Sequence, residues 1–218
     1  MAYTNVIKLT GLTPVDTLTG ARWSGKGNVY CIPSTDSTYN YFTGDLVAPA
    51  VGGDTNGIPY ISLCAAGATA VGVIQAIGTA PYGPWVVNYN NLQAPVYAPI
   101  TKTQNYYALV IDDPNVIFEI CEGSSVATTN LTSAVCNLNA NIAIPTQSTT
   151  AAVTAYLSGM YLDNHTAPTT TSTYNLRIIR LAQRADNHFV TNPATGGGGQ
   201  RWWVTINNHT YRGGVTAP

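Results

Sequence analysis

Residues 106–120, with the sequence YYALVIDDPNVIFEI, carry the pattern that decides the fold. Two apolar runs of strand length, residues 106–111 and 116–120, consist largely of β-branched and aromatic residues, which favour strands. Between them, residues 112–115 combine Asp, Pro and Asn, which are typical of a tight turn. The stretch therefore predicts two β-strands joined by a turn, with its acidic side chains on a solvated hairpin edge.

Runs of the same kind recur along the chain, and segments rich in Gly, Pro, Asn and Asp separate them. They include residues 60–63, 71–77, 85–87, 175–181 and 202–206. Regular short strands between such turns indicate an antiparallel β-sandwich or barrel. Residues 124–143 come nearest to a helical period, but Thr and Asn compete for backbone hydrogen bonds there, so we expect at most a short helix, or else a long loop. The sequence predicts an all-β fold with little helix.

Composition divides the chain into two parts. Residues 1–45 show weak strand patterning and many Gly, Pro and Ser residues, which predicts an extended N-terminal arm with one or two strands. Residues 46–218 carry most of the strand-like runs and form the predicted β-sandwich domain. Within this domain, residues 78–107 are rich in Tyr and Asn and are predicted to form a long loop region.

Charged residues are rare in this sequence. Nine Lys and Arg and ten Asp and Glu make up 9% of 218 residues, against roughly 25% in an ordinary soluble domain. Because few ions lose water when such a surface is covered, we predict a homodimer or homotrimer formed through apolar and Tyr-rich strands. The net charge of −1 argues against a nucleic-acid partner. No run approaches about 18 consecutive apolar residues, so we expect no membrane partner.

The few charges are unevenly distributed. Residues 1–30 hold three basic and one acidic residue (+2), residues 31–170 one basic and eight acidic (−7), and residues 171–218 five basic and one acidic (+4). One interpretation is that the basic ends face a different partner from the acidic middle. The other is that the ends pair with the middle within one fold.

Candidate catalytic and metal-binding residues are few. His165, His188 and His209 each follow an Asn, a context typical of side chains that bond the nearby backbone in turns. The chain has four cysteines without a CxxC pair and without a His at ligand spacing, which disfavours zinc; they are Cys31, Cys64, Cys121 and Cys136. We expect Cys64 and Cys121 to be buried free thiols. The sequence thus predicts no enzyme, no metal and no cofactor.

The densest acidic cluster consists of Asp112, Asp113, Glu119 and Glu122. Such oxygens could bind calcium, but a calcium loop needs more ligands and a fixed Gly, so the turn and strand edge are the favoured interpretation.

The adjacent residues Trp202 and Trp203 could stack on sugars or bases. A core or interface strand is favoured, because successive side chains of a strand point to opposite faces.

Several segments resemble the small capsid decoration proteins, or cement proteins, of tailed bacteriophages. They are residues 41–47 (YFTGDLV), 113–120 (DPNVIFEI), 158–163 (SGMYLD), 176–187 (LRIIRLAQRADN) and 203–209 (WVTINNH). The resemblance spans roughly residues 40–210. It implies a jelly-roll-like sandwich with an arm, attached to the outside of the phage head.

The function that this resemblance implies is that of a virion structural protein. Such a protein binds at junctions between major capsid subunits and stabilises the head. Its partners would be the major capsid protein and copies of itself. It would be made in the host cytoplasm, where free cysteines are expected, and would end on the outer surface of the capsid.

Together with the charge distribution, the resemblance predicts that the basic ends face the shell and the acidic middle faces outward. The predicted capsid-contact residues are Lys8, Arg22, Lys26, Arg177, Arg180 and Arg184. One alternative is a phage fibre or receptor/glycan-binding β module, with exposed aromatic residues supplied by residues 82–107. Another is a small hydrolase, which would need one of the histidines beside a nucleophile.

Overall fold

The computed structural model describes residues 9–81, 97–123, 130–150, 156–189 and 199–214. These residues form a closed five-stranded barrel, an open seven-stranded sheet and a two-stranded pair. The strands are β1 (Thr13–Thr17), β2 (Asn28–Ile32), β3 (Tyr41–Phe42), β4 (Leu46–Gly53), β5 (Pro59–Leu63), β6 (Gly72–Gly78), β7 (Tyr97–Ala98), β8 (Tyr106–Ile111), β9 (Val116–Gly123), β10 (Asn139–Ala140), β11 (Ile142–Ala143), β12 (Tyr161–Asp163), β13 (Leu176–Leu181) and β14 (Arg201–Ile206). The helical segments in this part of the chain are two 3₁₀ turns, Ser133–Val135 and Thr146–Ser148. The predicted all-β fold with little helix is confirmed.

The barrel closes in the strand order β2, β5, β4, β6 and β8. Its pairings are antiparallel, except that β2 pairs with β5 in parallel. A closed barrel leaves no unpaired strand edge. β6 pairs with both β4 and β8, and Gly72 is its first residue. A Cβ at this position would collide with the carbonyl oxygen of Ile111 in β8, so glycine allows the two strands to approach and the barrel to close.

The open sheet is organised around β9. β14 pairs with β9 on one side, and β1 and β12 share the other side at its two ends. β13 and β10 extend the sheet beyond β14, and β11 extends it beyond β12. The pairings are antiparallel except for that of β9 with β12.

Residues 106–120 connect the two units, which corrects one prediction. The turn exists, because the Asn115 N–H donates to Asp113 Oδ1 at 2.9 Å. However, β8 pairs within the barrel and β9 within the open sheet. The expected hairpin edge is therefore wrong: Glu119 lies between β1 and β14 and is only 7% exposed. The turn residues determine only the local change of chain direction. β8 and β9 pair with strands from more distant parts of the chain.

One hydrophobic core joins the barrel and the sheet. Ile32 and Ile74 of the barrel belong to the same buried cluster as Phe118 and Trp202 of the sheet. Trp202 is completely buried and the neighbouring Trp203 is half-buried, which confirms that the two rings face opposite sides of the strand.

The N-terminal segment contributes to both units. Within residues 1–45, β1 pairs with β9 of the sheet, β2 belongs to the barrel and β3 pairs with β7. Of the predicted Tyr/Asn-rich loop region 78–107, residues 82–96 lie outside the described residues, and β7 and the start of β8 are strands. All four cysteines are free, and the predicted burial of Cys64 and Cys121 is confirmed.

Candidate interaction surface

A β-bulge in β13 places two of the predicted contact residues on one face of the open sheet. Arg177 pairs with Thr205 of β14, and Arg180 pairs with Trp203. Thr205 and Trp203 are two residues apart and therefore share a face. Arg177 and Arg180 are three residues apart, so a regular strand would point them to opposite faces; the extra residue Ile179 realigns them.

We call the outer side of the sheet that bears Arg177, Arg180 and Trp203 the arginine face. The guanidinium carbon of Arg180 lies 4.1 Å from the centroid of the Trp203 ring, the geometry of a cation–π contact. The Arg180 side chain is exposed. The buried Trp203 Nε1 has no hydrogen-bond partner among the described residues. Trp and Arg are the residue types that most often dominate protein interfaces.

Arg184, just after β13, is held by ion pairs within the chain. Its Nη1 lies 2.8 Å from Glu119 Oε1, and its Nε lies 3.1 Å from Asp186 Oδ1. Arg201 approaches the same Glu119 oxygen at 3.4 Å. The hydrogen bond from Arg184 lowers the pKa of Asp186. Pairing of a basic end with the acidic middle therefore occurs at Arg184 and Arg201.

Arg177 lines a cleft of about 240 Å³ at the edge of the arginine face. Its Nε–H donates to Asn139 Oδ1 at 3.2 Å. Arg212 and Leu18 line the same cleft. Sequence analysis did not predict that Arg212 lines the same cleft as Arg177, and the only signal for Arg212 was its place in the basic C-terminal segment.

The N-terminal basic residues lie on a separate loop. Arg22 and Lys26 are exposed between β1 and β2. Leu18, the first residue after β1, lines the cleft of Arg177, so this loop begins beside the arginine face. Lys8 lies outside the described residues.

The three histidines contact groups in their own turns. The His165 N–H donates to Asp163 Oδ1 at 3.0 Å, and a ring nitrogen of His188 lies 2.9 Å from the Ala185 carbonyl oxygen. His209 is buried, its Nδ1 accepts from the Tyr211 N–H at 3.1 Å, and burial lowers its pKa. These contacts agree with the predicted role of side chains that bond the backbone in turns.

Glu122 is a candidate that sequence analysis placed wrongly, on a solvated edge. It is fully buried, because it continues the inward alternation of Phe118 and Ile120. Its Oε1 accepts from Gln200 Nε2 at 2.7 Å and its Oε2 from Trp202 Nε1 at 2.9 Å. Burial raises the pKa of Glu122 to about 7, although both hydrogen bonds favour the ionised form. The alternation itself was the signal that could have placed it inside.

The remaining acidic residues of the predicted cluster are dispersed. Asp112 Oδ2 accepts hydrogen bonds from the Tyr30 hydroxyl and from Asn28 Nδ2, both at 2.8 Å, at the rim of the barrel. Glu119 lies on the arginine face beside Arg184 and Arg201. Within the described ranges, no group of three or more His, Cys, Asp and Glu side chains is placed to hold a metal ion.

Aromatic rings stack at the β3–β7 pair. The Phe42 and Tyr97 ring centroids are 5.4 Å apart, with planes inclined by 15°, and Tyr156 lies 5.8 Å from Tyr97. Tyr156 is 60% exposed. Of the other aromatic residues in the predicted range 82–107, Tyr106 and Tyr107 lie in the barrel strand β8, and those in residues 82–96 lie outside the described part of the chain.

In the part of the chain described by the structure, no helix has the length and apolar character needed to cross a membrane. No family model matches the chain, and no curated protein or solved structure matches it.

Proposed function

We propose that this protein is a virion structural protein that binds the outside of a phage capsid at junctions between major capsid subunits and stabilises the head. The observation that carries the proposal is the arginine face, where Arg180 lies over Trp203 and Arg177 lines the adjacent cleft. It combines cationic and aromatic contact groups on one side of a rigid sheet. The protein works in this role without catalytic residues, metal or cofactor.

In this proposal the arginine face meets the shell and the barrel points outward. Acidic groups of neighbouring capsid subunits contact the arginines and are held together across the junction. The low charge content of the chain keeps the cost of desolvating the rest of the contact small. Binding of two subunits at once opposes the separation that internal DNA pressure would cause.

Co-sedimentation with intact capsids that lack this protein tests the proposal. We expect Arg177→Ala and Arg180→Ala each to weaken binding about tenfold, since one interface hot spot is worth roughly 1–2 kcal/mol. The loss should grow at high salt because the contact is electrostatic. Gln104→Ala, an exposed change near the barrel, is the matched control and should bind normally. Equal occupancy for the two arginine variants and the control would contradict the proposal.

The N-terminal contacts need a different design. β2 begins at Asn28, so deletion of residues 1–30 would remove barrel residues and disturb folding. Deletion of residues 1–8, together with Arg22→Ala and Lys26→Ala, tests attachment alone. Arg184→Ala should weaken binding less than Arg180→Ala, because Arg184 is already paired with Glu119. If the variant that combines the deletion of residues 1–8 with Arg22→Ala and Lys26→Ala still binds capsids fully, attachment depends on β13 and not on the N-terminal segment.

Self-association is part of the same proposal. A homodimer or homotrimer would double or triple the number of shell contacts and raise the apparent affinity through multivalency. The free cysteines suit assembly in the host cytoplasm before the protein reaches the outer surface of the virion. Sedimentation equilibrium at increasing concentration measures the oligomer directly, and a strict monomer both free and on the particle would contradict this part.

A second candidate, a phage fibre or receptor/glycan-binding β module, is favoured by one observation. The exposed Tyr156 ring lies beside Tyr97, which stacks on Phe42, and an exposed aromatic ring suits the apolar face of a sugar. Titration with bacterial surface oligosaccharides should then shift Tyr fluorescence, and Tyr156→Ala should abolish the shift. The arginine variants should leave it unchanged.

A further inference from the structure

A second observation sharpens the contact of the arginine face with its partner. The cleft of about 240 Å³ lies where the end of β1, β13 and the end of β14 meet the turn before β10. One part of its wall is basic, with Arg177 and Arg212, and another is apolar, with Leu18 and Ile179. Among the described residues that line the cleft, there is no Asp or Glu.

A hydrogen bond to a buried side chain holds Arg177 in position. Its Nε–H donates to Oδ1 of Asn139, which is completely buried. The Asn139 side-chain amide donates in turn to the Thr171 carbonyl oxygen at 2.9 Å, and its backbone exchanges hydrogen bonds with Thr169 at 2.7 and 2.9 Å. A guanidinium fixed in this way loses little conformational freedom on binding an anion.

Arg212 supplies the second cation from a different part of the chain. It lies in the exposed turn after β14, and its Nη1 is 3.5 Å from the Pro114 carbonyl oxygen. Two guanidinium groups at one recess suit a carboxylate, which accepts charge-assisted hydrogen bonds on both oxygens.

Asn137 adds a strained polar residue at the rim. Its φ of 68° lies in the left-handed region, and it is the one described non-glycine residue with positive φ. Its N–H donates to the Ile178 carbonyl oxygen at 2.8 Å, so this conformation is tied to β13. Strained backbone is concentrated at binding sites, and the exposed Asn137 amide can donate to a ligand at the mouth of the cleft.

The apolar wall distinguishes between anions. Leu18 is 48% exposed, and Ile179 is the bulged residue between the two arginines of β13. Inorganic phosphate has no apolar group for this wall, and a nucleic-acid backbone offers only the carbons of its sugars. An acidic residue followed by an apolar residue in an extended peptide fills both parts of it.

We propose that this cleft binds the carboxylate of an acidic side chain in an extended segment of a partner protein, with the neighbouring apolar side chain packed on Leu18 and Ile179. The identification of that partner as a capsid subunit rests on the proposed function. The peptide chemistry does not, because it follows from the cleft alone.

The test uses the full chain and a capped tetrapeptide, Gly-Glu-Leu-Gly, followed by amide chemical shifts. We expect shifts at Asn137 and Thr205, which line the cleft, and dissociation constants raised about tenfold by Arg177→Gln or Arg212→Gln, because each change removes a charge-assisted hydrogen bond. Gln104→Ala, an exposed change near the barrel and away from the arginine face, is the control and should bind the peptide normally. Circular dichroism verifies that each variant is folded, and Arg212→Gln changes only an exposed side chain.

Three results would overturn the inference: equal binding of Gly-Gln-Leu-Gly, unchanged affinity in Arg212→Gln, or shifts with inorganic phosphate or duplex DNA but none with the acidic peptide. Capsid co-sedimentation of the same variants separates this inference from the proposed function. Peptide binding without capsid binding would contradict the proposed function and support the cleft assignment. Capsid binding by the unchanged protein, with no binding of the acidic peptide, would support the proposed function and contradict the cleft assignment.

Discussion

The strands of the barrel and those of the open sheet differ in their content of charged residues. The five barrel strands contain no charged residue. The strands of the sheet contain Asp16, Glu119, Glu122, Asp163, Arg177, Arg180 and Arg201. A closed barrel satisfies its own edges and serves as a neutral scaffold. Among the described strands, the charged side chains therefore lie in the sheet and not in the barrel.

The largest effect is expected from the core that the two units share. Trp202→Ala should lower the free energy of unfolding by roughly 3–5 kcal/mol, because it opens a large cavity. It also removes the N–H that bonds Glu122. Because Trp202 and Ile74 of the barrel belong to one cluster, urea unfolding should remain a single transition in near- and far-UV circular dichroism.

Ile74→Ala in the barrel is the matched experiment, with an expected loss of roughly 2–5 kcal/mol for a fully buried aliphatic side chain. Trp203→Ala, in the same strand as Trp202 but half-buried, should cost clearly less than Trp202→Ala. Two separate transitions in either core variant would show that barrel and sheet fold independently.

A pH effect of intermediate size is expected from one buried carboxyl in each unit. Burial raises the pKa of Glu122 in the sheet from 4.5 to about 7, so the folded protein holds this proton more tightly than the unfolded chain. Protonation of Glu122 therefore stabilises the fold fully below about pH 4.5, and this stabilisation is lost as the pH rises to about 7. The free energy of unfolding should fall by about 3 kcal/mol over this range. Glu122→Gln should remove this dependence in urea titrations from pH 4 to pH 8. Its amide can bond Gln200, whose Oε1 has no partner among the described residues.

Asp45, beside the barrel strand β4, provides the comparison. Burial raises its pKa to about 7 against hydrogen bonds from Ser158 and the Phe42 N–H, which favour the ionised form. Asp45→Asn should therefore reduce the pH dependence of the free energy of unfolding over the same pH range. The two changes should add, because the carboxyls lie in different units. A double variant whose stability still falls between pH 4.5 and pH 7 would assign the effect to other groups.

Local patterns made much of the fold predictable. The strand runs and the turn at residues 112–115 follow from residue preferences that act over a few positions, and so does the opposite placement of Trp202 and Trp203. The partners of each strand do not, because β8 and β9 pair with segments far away in the chain.

The candidate surface was predictable only in part. The basic C-terminal segment suggested Arg177 and Arg180, but the bulge at Ile179 that aligns them is a property of pairing with β14. The cleft joins Leu18 to Arg212, positions almost at opposite ends of the chain, and no spacing rule connects them.

A smaller effect is expected from the stacked pair on the arginine face. Arg180→Ala should destabilise the fold by roughly 0.5–1 kcal/mol, the size of an exposed cation–π contact. Arg180→Lys keeps the charge but loses the planar stack over Trp203, so it should retain only part of the stability and part of the capsid binding. Thermal unfolding and co-sedimentation measure the two quantities. Full retention of both by Arg180→Lys would show that charge alone matters at this position.

The smallest effect is expected where the sheet pairs its own charges. A double-mutant cycle with Arg184→Ala and Glu119→Gln should give a coupling of roughly 0.5 kcal/mol, because the Arg184 side chain is 46% exposed and water screens the pair. Glu119→Gln alone should cost more than Arg184→Ala, since Glu119 also faces Arg201 at 3.4 Å and its loss leaves two arginines without this partner. Under the proposed function, the arginine face then carries one acidic charge fewer, so Glu119→Gln should strengthen capsid binding at low salt while it weakens the fold. Weaker capsid binding by this variant would mean that the ion pairs of Glu119 hold the arginine face in its binding conformation. The charges of the sheet would then act on the conformation of this face, before any partner binds.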